Sequence, residues 1–184
     1  DALHILIVFS VGFLGACLGS FAYVLASRLG TGQTIFSGRS HCASCARTLT
    51  ALDLVPIFSF IALGGRCRTC GSRLNSAYLL TECTAALLFI AMLFAFGITL
   101  ALIPALLVAT LLTALLAYDI RHTILPDVLI YPFILLSLLV AFLTAPVLFV
   151  FIQTLFTALV LSGLLAALWF FSKGRAIGLG DAKL

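Results

Sequence analysis

Residues 99–144 read TLALIPALLVATLLTALLAYDIRHTILPDVLIYPFILLSLLVAFLT. A short polar segment that contains Asp119 separates two apolar runs, residues 99–118 and 127–144. A helix that crosses the hydrocarbon of a bilayer needs about 20 apolar residues. Each run therefore predicts a transmembrane helix, and the short polar segment predicts that the acidic residues of this hairpin lie at one membrane surface.

The composition extends this prediction to the whole chain. Of its 184 residues, 64% are hydrophobic and 9% are charged, with a mean hydropathy of +1.30, whereas soluble domains are about 45–50% apolar. We therefore predict an all-α polytopic membrane protein with about five transmembrane helices. The predicted spans are residues 4–27, 78–96, 99–118, 127–144 and 147–172. No internal repeat is evident in the sequence.

The basic residues predict the orientation. If the chain crosses the membrane five times, all ten Lys and Arg residues fall on the same side. The positive-inside rule makes that side cytoplasmic and places the N-terminus outside. The net charge of +4 then marks topology and predicts no nucleic-acid partner. The basic residues are Arg28, Arg39, Arg47, Arg66, Arg68, Arg73, Arg121, Lys173, Arg175 and Lys183.

The loop between the first two spans contains Cys42-x-x-Cys45 and Cys67-x-x-Cys70, separated by 21 residues. This spacing is typical of a closed, structural four-cysteine zinc site, with iron the less favoured metal. A reducing cytoplasm disfavours the competing disulfides. The stretch between the pairs is expected to be only modestly apolar, so that the metal supplies much of the folding energy. Asp53, within it, is expected to be a turn or solvated residue.

Asp119 follows 20 residues without a charge. A carboxylate at that depth is costly in a membrane and indicates a function. The alternative is that Asp119 only caps or snorkels at a helix end beside Arg121. Asp127 follows Pro126, and a position in the first turn of a helix, where acids are favoured, is sufficient to explain it.

Asp181 lies in the C-terminal stretch GLGDAKL, residues 178–184. Gly178 and Gly180 lack Cβ atoms, so an extended substrate strand can approach the carboxylate. The alternative is that Asp181 caps a following helix. Asp119 and Asp181 together suggest an aspartic protease. Two adjacent carboxylates do not both ionise, so one takes a proton from water while the other polarises the scissile carbonyl.

Four stretches resemble the type IV prepilin peptidases, a family of GxGD intramembrane aspartic proteases. They are GSFAYVLASRL at 19–29, the cysteine-rich loop at 42–82, YDIRHTILPDVL at 118–129 and GLGDAKL at 178–184. The resemblance implies an enzyme of the bacterial inner membrane that removes leader peptides from prepilins of type IV pili or pseudopilins of type II secretion. It implies that Asp119 and Asp181 are catalytic.

The resemblance also implies a second activity, because many relatives N-methylate the new amino terminus with S-adenosylmethionine. Glu82 and the arginines of the cysteine loop are candidates for binding the methyl donor. With Gly178 and Gly180, Glu82 is also a candidate for contacting the substrate.

The predicted domain organisation has three parts: a first transmembrane helix at 1–29, a cytoplasmic metal-binding domain at 30–76, and a peptidase domain at 77–184. The lipid bilayer and a prepilin are the expected partners. Since the family continues after the second aspartate with a further apolar helix, we expect this chain to be a piece truncated after the GxGD motif.

Three alternatives remain open from the sequence. A preflagellin-type peptidase would share the GxGD chemistry, although the four-cysteine loop argues against it. A proton- or ion-coupled transporter would also use membrane acids, but here the acids cluster at one face. A metal-dependent membrane scaffold would use the cysteine loop to bind a partner, and its acids would only cap helices.

Overall fold

The computed structural model describes residues 2–29, 31, 40–123 and 125–173. Within these residues the chain is helical, and it forms isolated bridges at His41–Thr48 and Arg66–Arg73 but no strand. The elements are α1 (Ala2–Arg28), a 3-10 helix (Ala51–Leu54), α2 (Phe58–Ala62), α3 (Ala77–Phe96), α4 (Leu102–His122), α5 (Asp127–Thr144) and α6 (Leu148–Phe171).

Five of the described helices, α1 and α3 to α6, are long and apolar enough to cross a membrane. This confirms the predicted fold class, and most predicted boundaries agree within a few residues. The exception is α4, which was predicted at 99–118 and extends to His122. Arg121 and His122 lie in its last turn, where cations are favoured by the helix dipole. Asp119 is therefore helical.

The chain divides into two compact units, Asp1–Ala95 and Phe96–Leu184. These two units reflect which residues contact one another, and not which residues share a function. The predicted functional division at residues 29 and 76 stays a prediction.

In the first unit, α1 and α3 approach each other through glycines. A Cβ atom built on Gly15 would lie 2.8 Å from the carbonyl oxygen of Ala85, and one on Gly19 would lie 2.7 Å from that of Thr81. Real side chains do not tolerate such distances, so only glycine allows this separation of the backbones. Small residues at close helix crossings are typical of membrane helices, because association there depends on packing.

The cysteine loop contains two copies of one turn, which we call the first knuckle (residues 40–49) and the second knuckle (residues 65–74). In the first, Ala46 N–H donates to the Cys42 carbonyl at 2.9 Å and Leu49 N–H to that of Ser40 at 2.8 Å. In the second, the Gly71 and Leu74 N–H groups make the equivalent bonds, at 3.0 and 2.8 Å. The expectation of no internal repeat was therefore wrong: SHCASCARTL and GRCRTCGSRL fold alike.

Between the knuckles lies the linking segment, residues 51–63, which contains the 3-10 helix and α2. The expectation that this stretch is only modestly apolar was wrong at its centre. Its sequence, ALDLVPIFSFIAL, has polar side chains only at Asp53 and Ser59. The ring of Phe60 lies over Gly65, where a Cβ atom would be 2.9 Å from the ring. The segment is thereby attached to the second knuckle.

In the second unit, α4 and α5 pack as an antiparallel hairpin joined by residues 123–126. Small buried residues recur every four positions along α4, at Ala105, Ala109, Thr113 and Ala117, and α5 buries Leu129 and Ile130. In α6, as far as it is described, no residue is buried. Exposed apolar faces of this kind suit helices that contact lipid.

Candidate functional site

The four cysteines of the knuckles converge on one point. The Sγ atoms of Cys42, Cys45, Cys67 and Cys70 all lie within 4.8 Å of one another, and those of Cys42 and Cys70 are 3.8 Å apart. A tetrahedral ion with metal–sulfur bonds of about 2.3 Å requires sulfurs roughly 3.8 Å apart. The cluster therefore fits a metal ion with little adjustment, as the spacing predicted.

Hydrogen bonds to sulfur favour the thiolate form that binds metals. Backbone N–H groups of Cys45 and Ser44, with the Ser72 hydroxyl, lower the pKa of the Cys42 thiol to about 5. The hydroxyl and backbone N–H of Ser72 lower the pKa of Cys70. Ser72 Oγ is 3.1 Å from Cys70 Sγ and 3.6 Å from Cys42 Sγ. Sequence reasoning missed Ser72, because this residue lies outside both Cys-x-x-Cys motifs.

Cys45 behaves in the opposite way. The Arg47 N–H lowers the pKa of Cys45, but burial and hydrogen bonds to the three other sulfurs outweigh it and raise the pKa to about 11. A bound cation replaces the proton of the Cys45 thiol, because metal ligands must be deprotonated.

Asp53 connects the knuckles. Its carboxylate accepts hydrogen bonds from the Thr50 N–H at 3.0 Å and the Thr50 hydroxyl at 2.8 Å. It also pairs with Arg47 and, at 3.1 Å, with Arg68 Nε. The hydrogen bonds from Thr50 and the two guanidinium groups lower the pKa of Asp53, although burial opposes them.

The expectation for Asp53 was half right. It does form a turn, because it caps the 3-10 helix at Thr50. It is not solvated, since its side chain is only 4% exposed. Sequence reasoning missed this because one of its partners, Arg68, is 15 positions away along the chain.

Glu82 lies inside α3 and is buried, with 6% of its surface exposed. Its Oε2 accepts a hydrogen bond from the Ile57 N–H at 2.7 Å, and the Ser20 side chain lies close to the carboxylate. Ser20 in addition lines a cavity of about 300 Å³, together with Arg28 and Ser40. Glu82 is therefore a buried carboxylate next to one residue, Ser20, of a cavity with a mixed polar and apolar lining.

Asp119 and Asp127 are both exposed at the same end of the α4–α5 hairpin. Asp119 lies in the last turn of α4, and its carbonyl accepts a 2.7 Å hydrogen bond from the N–H of Thr123, which closes the helix at φ 53°. Asp127 is the first residue of α5.

The predicted partner of Asp119 is Asp181. With Gly178 and Gly180, it lies outside the described residues. The catalytic pair and the substrate contacts of these glycines stay predictions.

Comparisons with known proteins cover most of the chain. Residues 13–96 match the bacterial peptidase A24 N-terminal domain, and residues 106–184 match the type IV leader peptidase family. The second match contains both Asp119 and GLGDAKL.

Curated relatives carry the name prepilin leader peptidase/N-methyltransferase. The chain is 40% identical to that of Myxococcus xanthus (strain DK1622) over 129 residues, which are 70% of this chain and 38% of the relative. It is 39% identical to the relative from Bacillus subtilis (strain 168) over 113 residues, which are 61% of this chain and 46% of the relative. It is 35% identical to the relative from Burkholderia pseudomallei (strain K96243) over 155 residues, which are 79% of this chain and 48% of the relative. The chain spans less than half of these relatives' length, and no solved structure matches it.

Proposed function

Because the chain belongs to the type IV leader peptidase family, we propose that it is part of an aspartic endopeptidase of the bacterial inner membrane. Its substrates are prepilins of type IV pili or pseudopilins of type II secretion. The observation that carries this proposal is the pair of family matches, which run in order through both aspartate motifs. The five apolar helices support the multi-pass location.

Asp119 and Asp181 are the proposed catalytic carboxylates. One is ionised and removes a proton from the attacking water, and the other is protonated and polarises the scissile carbonyl. The exposed position of Asp119 at the end of α4 supports this role, because water and an extended peptide can reach a helix end. Gly178 and Gly180 would let the substrate backbone pass close to Asp181.

The active site is proposed to face the cytoplasm. All ten Lys and Arg residues fall on one side of the five-span topology, and that side is cytoplasmic by the positive-inside rule. Cleavage would then occur where the hydrophobic helix of the prepilin leaves the membrane.

Zinc is the proposed metal of the cysteine cluster. Four thiolates around one ion are typical of structural zinc, and a closed site leaves no position for water or substrate. The ion would hold the two knuckles together and take no part in cleavage.

The test of cleavage uses the full-length protein and a prepilin peptide with its hydrophobic helix, both in detergent or vesicles. Asp119→Asn and Asp181→Asn should each abolish cleavage, because an amide cannot exchange protons with water or a partner carboxylate. Each single loss should be as severe as the double loss, since the two groups act as a unit. Asp127→Asn is the matched control, because it is also exposed at the same hairpin end, and it should retain substantial activity.

The results separate the alternatives. Full cleavage by the Asp119→Asn protein together with an inactive Asp127→Asn protein would transfer the role to Asp127. Processing of preflagellin in preference to prepilin would indicate the other GxGD peptidase branch. Proton-coupled uptake by vesicles without any cleavage would favour a transporter.

N-methylation of the new amino terminus is the second candidate activity. The buried Glu82 and the adjacent cavity favour it, because a buried carboxylate suits a cationic ligand or a protonated amine. S-adenosylmethionine supplies the methyl group when bound. Glu82 would take up the proton that the amine releases, and Ser20 would orient the carboxylate.

Pre-cleaved pilin peptide tests this second activity independently of the aspartates. Methylation should survive Asp119→Asn and Asp181→Asn, and it should fall in Glu82→Gln, because an amide is not a base. Full methylation by the Glu82→Gln protein would remove Glu82 from this role.

A further inference from the structure

The linking segment has an unusual surface for a loop outside the membrane. Six of its residues are exposed in the structure, and every one is apolar: Ala51, Leu52, Leu54, Phe58, Ile61 and Ala62. The side chain of Phe58 is 55% exposed and that of Ile61 is 66% exposed. The second knuckle differs, because its exposed residues include Arg66, Arg68 and Arg73.

The hydrogen bond to Glu82 fixes the depth of this segment. Because α3 has 20 residues, it is about 30 Å long and matches the hydrocarbon thickness of a bilayer. Glu82 is the sixth residue of α3, so it lies about 7–8 Å from the cysteine-side end of the helix. The Ile57 N–H that bonds to Glu82 must lie near the same depth.

The neighbours of the segment agree with that depth. Pro56, Ile57 and Phe58 line an apolar groove together with Ala86 of α3 and Ala16 of α1. Ala86 is the tenth residue of α3, about 13–14 Å from its start. The centre of the linking segment therefore lies beside the transmembrane helices and not above them.

The backbone at this point is strained. Ile57 has φ 62° and ψ −53°, and the Phe58 N–H bonds to the Pro56 carbonyl, which makes Ile57 the centre of a tight γ-turn. A β-branched residue rarely adopts positive φ, and such a turn is rare and strained. Strain of this kind persists only where surrounding contacts over-determine it, and the bond to Glu82 is such a contact.

We propose that the linking segment is a re-entrant element that enters the bilayer from the cysteine side and places Phe58 and Ile61 among lipid acyl chains. Glu82 is its positioning residue, because it holds the turn at Ile57. The arginines of the second knuckle lie on the segment's C-terminal side, where lipid phosphate groups can neutralise them. The metal-binding loop is thereby attached to the membrane at a point between its knuckles.

Tryptophan fluorescence of the full-length protein tests the proposal. The sequence has a single tryptophan, Trp169. Trp169→Phe therefore removes the tryptophan fluorescence of this part of the protein, and any further tryptophan of the full-length protein is replaced in the same way. Phe58→Trp then places one reporter on the segment, and Ala43→Trp places the control on the exposed surface of the first knuckle. The protein is reconstituted in phosphatidylcholine–phosphatidylglycerol vesicles with bromine at defined acyl-chain positions.

Emission from position 58 should be quenched by acyl-chain bromine and protected from iodide in the buffer. Emission from position 43 should show the reverse. Quenching of position 58 by iodide alone would overturn the proposal by placing the segment in water. Quenching by neither reagent would also overturn it, because another part of the protein would then cover the site.

Two variants of Glu82 test the positioning role. Glu82→Gln keeps an oxygen that accepts the Ile57 N–H bond, so quenching at position 58 should be unchanged. Glu82→Leu removes the acceptor, so acyl-chain quenching should fall and iodide quenching should rise. Metal content and helix content, measured on the same samples, show whether the protein has folded. Unchanged quenching in a folded Glu82→Leu protein would refute this role.

Discussion

Replacing Cys42 and Cys45 together by serine should abolish stoichiometric metal binding and open the cysteine loop. The parent protein is expected to hold about one zinc per chain, and the double variant essentially none, because only two thiolates would remain. Cys17→Ser is the matched control, since Cys17 lies in α1 and does not belong to the cluster. It should leave the metal content unchanged.

How far the loop opens when the metal is lost depends on the other interactions that hold the two knuckles together. Structural zinc contributes about 10–16 kcal/mol to the folding of small zinc peptides at pH 7. The ion pairs of Asp53 contribute far less, because the arginine side chains that it pairs with are 27% and 52% exposed and exposed pairs are weak. Even a loss of about 4 kcal/mol would raise the open fraction of the loop roughly a thousandfold.

Limited trypsin digestion measures this opening, because Arg47, Arg66 and Arg73 provide cleavage sites within the loop. The double variant should be cut in residues 40–75 under conditions in which the parent and Cys17→Ser proteins are not. Metal analysis by mass spectrometry is performed on the same samples. Full zinc content in the double variant would refute the assignment, and so would an unchanged digestion pattern after the zinc is lost.

Further predictions concern packing, the loop and topology. Gly19→Val should destabilise the first unit by about 1–3 kcal/mol through overpacking, because its Cβ would lie 2.7 Å from the Thr81 oxygen. Gly163→Val is the control and should have a much smaller effect, because a Cβ there meets nothing within 4 Å. Equal denaturation midpoints of the two variants would contradict this prediction. Asp53→Asn should raise trypsin cleavage of the loop several-fold while zinc is retained, and unchanged cleavage would show that the bridge is dispensable. A single cysteine at position 145 should react with an impermeant thiol reagent from outside, and one at 174 from inside; the reverse pattern would invert the proposed orientation.

The sequence was sufficient for the features that depend on local composition. Apolar runs long enough to span a bilayer predicted the helices, and the two Cys-x-x-Cys motifs predicted the metal cluster, because both signals lie in consecutive residues. The apolar run does not indicate that α4 extends past Asp119, because charged residues interrupt the run there. Cations are in fact favoured in a last turn, and α4 continues through Arg121 to His122.

The features that were missed depend on contacts between distant residues. Asp53 pairs with Arg68, and Glu82 accepts a bond from Ile57, 25 positions away. No spacing rule connects such partners. The repeat of the knuckles was hidden for a related reason: the two copies share the cysteines and a final leucine but few other side chains. Their likeness lies in backbone hydrogen bonds, which most side chains permit.

Glu82 shows how two unfavourable features can stabilise each other. A buried carboxylate without partners is costly, and an N–H without an acceptor at membrane depth costs several kcal/mol. The strained turn at Ile57 adds about 1–3 kcal/mol. The 2.7 Å hydrogen bond between the two groups offsets part of each cost at once. Loss of the acceptor should therefore destabilise the turn by more than one ordinary hydrogen bond, whereas glutamine should retain most of the effect. The comparison of Glu82→Gln with Glu82→Leu thus separates the anchoring of the linking segment from any role of the carboxylate as a base.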